Sequence, residues 1–265
     1  MFGALIASIA AAAVMVVIPF MQMKLTKKQV QEMAVTPDRR DNPPWSHFAR
    51  LIKNPGVMKP CTVTLLSQEL ALVPAQCVTS VLSESGFAPP DYLSVELPGR
   101  TMVGVREYVV GPDFDAQARD FPAAALHDWA LLRLAQPVNV ENDVFTMAAG
   151  AGSFVSGGAE HTKNVVMAGY VSQIDKNLKV IRPCDLLTEG FYRFLIEHGG
   201  VDGHYTLHDC AHWGAAVGAP LFKQKQDGTY EILAIHAGGV AAYNTLLGAA
   251  VPLTEVAYEN GRVPY

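Results

Sequence analysis

The sequence predicts an all-β globular protein, and two series of short strands indicate that class. Runs rich in Val, Leu and Thr are bounded by turn residues at 61–66, 69–73, 92–97, 102–110 and 129–134. A second series follows at 165–172, 178–181, 220–222, 231–235 and 249–253. The stretch 150–158, rich in glycine and small residues, separates the series and predicts a link between two β units. Weak helical periodicity at 186–198 predicts a local insertion in the second unit.

Length and charge limit the classes of function. The chain has 265 residues, half of them hydrophobic, which is enough to bury the core of one large domain or two small ones. Its net charge is −5, and no basic stripe runs along any segment. The composition therefore argues against a nucleic-acid partner.

Four cysteines form an even set: Cys61, Cys77, Cys184 and Cys210. Two disulfides in an oxidising compartment are one interpretation, and four buried thiols in a cytosolic protein are the other. The residues alone leave both open.

The N-terminus predicts a membrane anchor. Residues 2–23 contain no charged side chain, a length that crosses a hydrocarbon core of about 30 Å as a helix. A cleaved signal peptide is the alternative, but the start is not basic and the small residues lie too early for a cut. Lys24, Lys27 and Lys28 follow the run, and the positive-inside rule would place that end in the cytoplasm.

The anchor is predicted to be residues 1–23, followed by a stalk over residues 24–45. Charged and proline-rich residues at 36–44 predict an extended chain in that stalk. The globular part is expected to begin near residue 46.

Three stretches carry a family resemblance. Residues 209–221 read Asp-Cys-Ala-His-Trp-Gly-Ala-Ala-Val-Gly-Ala-Pro-Leu, residues 72–78 read Leu-Val-Pro-Ala-Gln-Cys-Val, and residues 127–134 read His-Asp-Trp-Ala-Leu-Leu-Arg-Leu. They resemble the segments of trypsin-like serine proteases that hold the catalytic serine, histidine and aspartate. They also occur in that family's chain order of histidine, aspartate and serine. The resemblance covers roughly residues 46 to 255.

The resemblance implies two six-stranded antiparallel barrels, the first at 46–150 and the second at 151–265. Cys61 precedes Cys77 by 16 residues, the family's usual spacing for a disulfide, so Cys184 and Cys210 are expected to form the second pair. Disulfides place the domain in the periplasm or cell exterior. This inference is preferred to the lysine rule because the flanking charges are few.

The resemblance also implies a degenerate catalytic centre. Gln76 stands where the family has its histidine, Asp128 is retained, and Val217 replaces the serine. Ala215 replaces a glycine of the oxyanion turn. Without a nucleophile or a base, proteolysis by this mechanism is not expected. Asp128 is either a surviving triad member or a buried acceptor satisfied by backbone N–H groups and the Gln76 amide, and the second interpretation is favoured.

The specificity pocket of the family is matched by His236, Gly238 and Asn244. In the glutamate-specific branch a histidine at this position meets the substrate carboxylate. The alternative is a histidine held inside the β structure by hydrogen bonds, which is favoured because Ala237 replaces a serine.

A histidine series, His204, His208 and His212, recurs at intervals of four residues. On a helix this spacing would present a metal-binding face, but the resemblance makes the segment strand and loop. No metal site and no cofactor are predicted.

The resulting hypothesis is a membrane-anchored pseudoprotease that acts as a binding or scaffold subunit. Its expected partners are an integral membrane protein or complex and, in the cleft, an extended peptide segment. Two alternatives stay open: a hydrolase using residues outside the triad, with or without metal assistance, and a secreted peptide-binding protein.

Overall fold

The computed structural model describes residues 34–54, 61–112, 114–117, 127–147, 162–170, 177–186, 206–210, 217–242 and 245–252. The strands within these ranges are β1 (Phe48–Lys53), β2 (Cys61–Leu65), β3 (Leu70–Val73), β4 (Leu93–Glu96), β5 (Met102–Val110), β6 (Ala130–Leu134), β7 (Phe145–Met147), β8 (Thr162–Tyr170), β9 (Leu178–Leu186), β10 (Thr206–His208), β11 (Pro220–Gln224), β12 (Tyr230–Ala242) and β13 (Thr245–Pro252). A four-residue helix, α1 (Pro37–Arg40), and 3-10 turns at Trp45–His47, Ala75–Val78 and Pro90–Tyr92 complete the described elements. The protein is therefore mainly β, as the sequence predicts.

The first six strands close into an antiparallel barrel in the order β1-β2-β3-β6-β5-β4. Its interior is filled by alternate residues of each strand, because successive side chains of a strand point to opposite faces. In β3, Ala71 and Val73 face the barrel interior, whereas Leu70 and Leu72 pack into a second core against the other sheet. All four are buried, which explains why this strand is a continuous apolar run rather than an alternating one.

The remaining strands form a seven-stranded sheet in the order β11-β8-β9-β10-β13-β12-β7, in which β11 also pairs with β12. This differs from the six-stranded barrel predicted for the second half. The difference arises because β7 adds to the sheet parallel to β12, pairing Phe145 with Tyr230 and Met147 with Ile232. No strand was predicted at β7, since three residues are too short to show a periodic pattern.

Aromatic side chains join the barrel to the second sheet. Phe48 of β1 lies 5.6 Å from Phe145 and 5.8 Å from Phe222, measured between ring centroids. Polar contacts cross the same boundary, since the Tyr170 N–H donates to Thr62 Oγ1 at 2.9 Å and the Tyr170 hydroxyl donates to the Phe48 carbonyl at 3.1 Å. The barrel and the second sheet thus share a hydrophobic core between them.

The segment before β1 belongs to this packed body. Ala34 forms an antiparallel bridge with Lys179, and the Val35 N–H donates to the Leu178 carbonyl at 2.9 Å. The Val35 side chain is buried in the shared core. Residues 36–44 were predicted to be extended, but Pro37–Arg40 form a helix, because proline favours the first helical turn. The part of the predicted stalk from residue 34 onward therefore packs on the second sheet.

Residues 1–33 and 187–205 lie outside the described ranges, and with them the predicted anchor and most of the predicted helical insertion. Within the described ranges, no helix has the length and apolar character needed to span a bilayer.

Candidate functional site

The site is built where β3 of the barrel gives way to the turn Ala75–Val78. The Gln76 N–H donates to Asp128 Oδ1 at 2.8 Å, and Gln76 Nε2 donates to Asp128 Oδ2 at 2.7 Å. Both oxygens of the carboxylate are thereby engaged by the same residue. The interpretation of Asp128 as a buried acceptor, satisfied by the Gln76 amide, agrees with this geometry.

Gln76 also reaches the second sheet. Its Nε2 donates to the Ala237 carbonyl at 2.9 Å. Because a carboxylate and a carbonyl are both acceptors, the donor end of the amide has to lie between them, and this assigns the amide orientation. Ala237 is available for the contact because β12 carries a bulge here, its register against β13 shifting between His236 and Gly238.

The Asp128 carboxylate is almost fully buried. Burial raises its pKa to about 6, although the hydrogen bonds from Gln76 and from the Ala75 backbone act in the opposite direction. Loss of hydration therefore outweighs hydrogen bonding, as is common for a carboxylate without a cationic neighbour. In a working triad a histidine would become that cation, and Gln76 does not fulfil this role because a neutral amide takes up no proton near pH 7.

Val217, at the position predicted for the nucleophile, lies against the barrel. Its carbonyl accepts the Thr62 N–H at 2.8 Å, and its half-buried side chain packs on the barrel core. Gly218 has a φ of +88°, and a Cβ there would lie 2.1 Å from the Thr62 carbonyl oxygen and 3.2 Å from Pro74 Cδ. Glycine is therefore required at 218 by both its conformation and its close neighbours. The segment that begins at Val217 thus lies beside Pro74, where β3 has ended and the turn with Gln76 begins.

The loop after Val217 is tied to β12. The Gly218 N–H donates to the His236 carbonyl at 2.7 Å, and the His236 N–H donates to the Ala219 carbonyl at 2.8 Å. These bonds bring the predicted nucleophile segment and the predicted pocket strand together. An alkyl group and an amide therefore lie at the positions predicted for the nucleophile and the base.

The pocket histidine is buried and held by another histidine. His208 Nε2 and His236 Nδ1 are 3.0 Å apart, and the two rings meet edge to face with centroids 5.1 Å apart. Both side chains are almost inaccessible to solvent. Gly248 makes room for the pair, because a Cβ there would lie 1.9 Å from His208 Cε1. This supports the interpretation of His236 as a hydrogen-bonded interior residue. Gly238, by contrast, is half-buried beside the bulge.

The disulfides Cys61–Cys77 and Cys184–Cys210 are both formed, which confirms the predicted pairing. The first joins β2 to the turn that carries Gln76. The second joins β9 to the residues after β10. Each therefore fixes a strand to a residue that lies close in sequence to a predicted site segment.

Several predicted residues lie outside the described ranges: Ala215, Asn244, His204 and His212. The oxyanion turn and the metal-assisted hydrolase alternative therefore stay predictions. Within the described ranges, no group of three or more His, Cys, Asp or Glu side chains is arranged to hold a metal ion.

Sequence reasoning missed three participants. They are the Ala237 carbonyl as an acceptor for Gln76, His208 as the partner of His236, and Thr62 as the link between β2 and β8. Each contributes through a contact with a residue far along the chain, and a single sequence holds no local signal for such contacts. No protein-family model and no curated protein matches this chain.

Proposed function

We propose that this chain is a catalytically silent homologue of the trypsin-like serine proteases, anchored in a membrane, that binds partners rather than cleaving them. The observation that carries this proposal is the amide of Gln76, which bridges Asp128 Oδ2 and the Ala237 carbonyl where the family has its general base. That arrangement uses both amide hydrogens in the ground state and leaves no group to take a proton from a nucleophile.

The fold supports the proposal. The closed six-stranded antiparallel barrel is compatible with a chymotrypsin-like first domain. In the second sheet, β11 pairs with both β8 and β12, so β11, β8, β9, β10, β13 and β12 make a continuous ring of antiparallel pairings. We interpret that ring as the counterpart of the second barrel, with β7 added on its outside.

The crevice keeps features that suit an extended peptide. The described residues place no donor on Gln76 Oε1, so this half-buried amide offers an acceptor to an incoming backbone N–H. The last part of β12, residues 238–242, pairs with β13 on one edge. Among the described residues, no strand pairs with its other edge, since β11 and β7 contact only the earlier part of β12. A peptide strand added to a free sheet edge gains main-chain hydrogen bonds without any catalytic group.

The partner is proposed from the predicted anchor. A domain held near the bilayer meets membrane neighbours at high effective concentration, so modest affinity suffices for stable association. We therefore propose an integral membrane protein or complex as the partner, with the domain in the periplasm or at the cell exterior, where disulfides persist.

Two measurements test the proposal. The purified full chain is treated with a fluorophosphonate probe and assayed against a peptide library, and we expect no labelling and no cleavage. Stoichiometric labelling would overturn the silent assignment. Native membranes are then extracted in mild detergent and crosslinked. We expect co-purification with an integral membrane protein, whereas a lone monomer would contradict the scaffold role.

A further inference from the structure

One loop of the barrel presents two aliphatic side chains to solvent. Val81 is 100% exposed and Leu82 is 82% exposed, at the tip of the loop that follows the Gln76 turn. Elsewhere among the described residues, the large apolar side chains with high exposure are Tyr92 and Met102. Exposing two adjacent aliphatic residues is unfavourable in water, so their placement points to a surface that covers them.

The loop is held in one shape by its own hydrogen bonds. Thr79 and Phe87 form an antiparallel bridge at its base, and the Ser80 N–H donates to the Gly86 carbonyl at 2.8 Å. At the tip, Ser80 Oγ accepts the Leu82 N–H at 3.3 Å. These contacts satisfy several backbone groups of the loop, which lowers the cost of seating its tip at the membrane interface. They also reduce the entropy lost on docking.

A third exposed apolar residue lies at the same end of the barrel. Lys53 Nζ, at the end of β1, donates to the Thr79 carbonyl at 2.9 Å, and the neighbouring Asn54 N–H donates to the Tyr92 carbonyl at 2.9 Å. Tyr92 is 48% exposed. The base of the loop and Tyr92 therefore lie on either side of the end of β1. Tyrosine is the residue type that favours the boundary between hydrocarbon and headgroups.

The length of chain before the described residues indicates what covers this surface. The uncharged run ends at residue 23, and residues 24–33 connect it to Ala34, which is fixed on the second sheet. Ten residues reach at most about 35 Å, while a domain of this size is roughly 45 Å across. If the anchor is retained, the domain cannot leave the bilayer, and its surface chemistry decides which face meets the lipid.

We propose that the tip formed by Val81 and Leu82 inserts into the membrane leaflet to which the anchor tethers the domain, with Tyr92 at headgroup level. This inference rests on the anchor in the proposed function. Glu84 and Asp91 are exposed near the tip, and the chain carries a net charge of −5. Attraction to anionic headgroups is therefore not the driving force, and the contact is apolar and independent of salt.

The test uses depth-sensitive labelling of the full chain. All four cysteines are in disulfides, so Leu82→Cys and, as a control, Met102→Cys each introduce a single reactive thiol. Met102 pairs with Glu96 at the opposite end of β4 from Leu93, so it is exposed away from the loop tip. Each variant, carrying an environment-sensitive fluorophore, is reconstituted into phosphatidylcholine vesicles that contain acyl-chain nitroxide lipid.

We expect the fluorophore at 82 to shift to shorter wavelength and to lose at least half its intensity to the nitroxide, unchanged in 1 M salt. The fluorophore at 102 should keep its emission in buffer. Adding Val81→Asp to the Leu82→Cys chain should reduce quenching severalfold. If the chain floats with the vesicles but the label at 82 stays unquenched, the insertion is wrong and the anchor stands. If the label is shielded only after membrane proteins are added, a protein covers the tip. A chain that does not float contradicts both anchor and insertion.

Discussion

At the scale of single residues, Gln76 determines the chemistry of the site. An imidazole at this position would carry a proton between a serine and a leaving group. The amide instead donates one hydrogen to Asp128 and one to the Ala237 carbonyl, so the carboxylate accepts hydrogen bonds from a neutral group rather than pairing with a cation. The alkyl side chain of Val217 cannot attack a carbonyl, so position 217 supplies no nucleophile either.

Introducing a histidine and a serine at these two positions should not create a protease. We expect the double variant Gln76→His, Val217→Ser to fold and to show little hydrolysis of peptide esters. The reason is Ala215 in the predicted oxyanion turn, since one missing oxyanion donor costs about 10²–10³ in rate. Adding Ala215→Gly should then raise the rate by a similar factor, measured as burst and steady-state turnover.

The matched control for this series is Gln76→His, Val217→Ala, which has the base but no nucleophile. Activity of the Val217→Ser double variant near that of an active family member would show that the turn at Ala215 is already competent.

Asp128 should make stability depend on pH between about 4 and 6. Burial raises its folded pKa to about 6, from a usual value of 3.8, so the neutral form is the better tolerated one in the fold. The contribution of Asp128 to the free energy of unfolding is complete below about pH 4 and is lost as the pH rises through about 6. A shift of this size corresponds to roughly 3 kcal/mol. Urea unfolding across this range should show the loss in the wild type.

The free energy of unfolding of Asp128→Asn should not fall between about pH 4 and 6 in this way, whatever the absolute stability of the variant. Identical pH profiles for the two proteins would contradict the raised pKa. Carbon-detected NMR of the carboxyl group gives the titration directly.

At the scale of elements, strand β2 is the junction between the two halves. Its inward residues fill the barrel, while Thr62 uses its hydroxyl to accept the Tyr170 N–H of β8 at 2.9 Å. The Thr62 backbone meets the nucleophile loop as well, since its N–H donates to the Val217 carbonyl. One disulfide anchors the same strand through Cys61. The position of the crevice relative to the barrel therefore depends on β2.

Substitution by valine should change the free energy of unfolding differently at two threonines of β2. Thr62→Val leaves the buried Tyr170 N–H without an acceptor and should reduce the free energy of unfolding by about 1–3 kcal/mol. Thr64 is equally buried, but its hydroxyl has no hydrogen-bond partner among the described residues. Thr64→Val should therefore be neutral or stabilising, by denaturant unfolding. Equal destabilisation by both would show that packing, rather than the hydrogen bond to Tyr170, dominates at Thr62.

At the scale of the whole molecule, the segment from Ala34 to His47 ties the body together. Val35 is buried in the core shared by both sheets, and His47 Nε2 contacts the Glu141 carbonyl at 2.9 Å. The segment therefore spans from β9 to the residues just before β7. It also fixes where the tether to the predicted anchor leaves the folded domain.

Val35→Ala should reduce the free energy of unfolding by about 1–3 kcal/mol, because buried methyl groups are lost from a packed core. Thr36→Ala is the matched control, since Thr36 is exposed and its side chain makes no capping bond. We expect it to change stability by less than about 0.5 kcal/mol. Equal, small effects of both substitutions in thermal unfolding would mean that this segment is not part of the cooperative unit.

Much of the barrel and of the site's chemistry could be predicted from short stretches of sequence. The runs that became β2 to β6 are visible as apolar stretches between turn residues, because strand composition is a local property. The disulfide partners, the retained aspartate and the missing base and nucleophile follow from short stretches and their spacing, through the resemblance they carry. Local pattern was insufficient for β1 and β7, for which no strand was predicted, and for β10, where strand and loop were expected only through the resemblance.

What the sequence by itself determined, then, is which groups are present: an amide and an alkyl group where the resemblance expects a base and a nucleophile, and cysteines in pairs. Only the tertiary structure decided what those groups touch. The Ala237 carbonyl reaches Gln76 across 161 positions of chain, and His208 meets His236 across 28. Such contacts depend on strand order and on a bulge in β12, and these are settled by packing the two sheets against each other. Packing also placed residues 34–45 on the second sheet, because a charged, proline-rich composition does not reveal that Val35 has a core to enter.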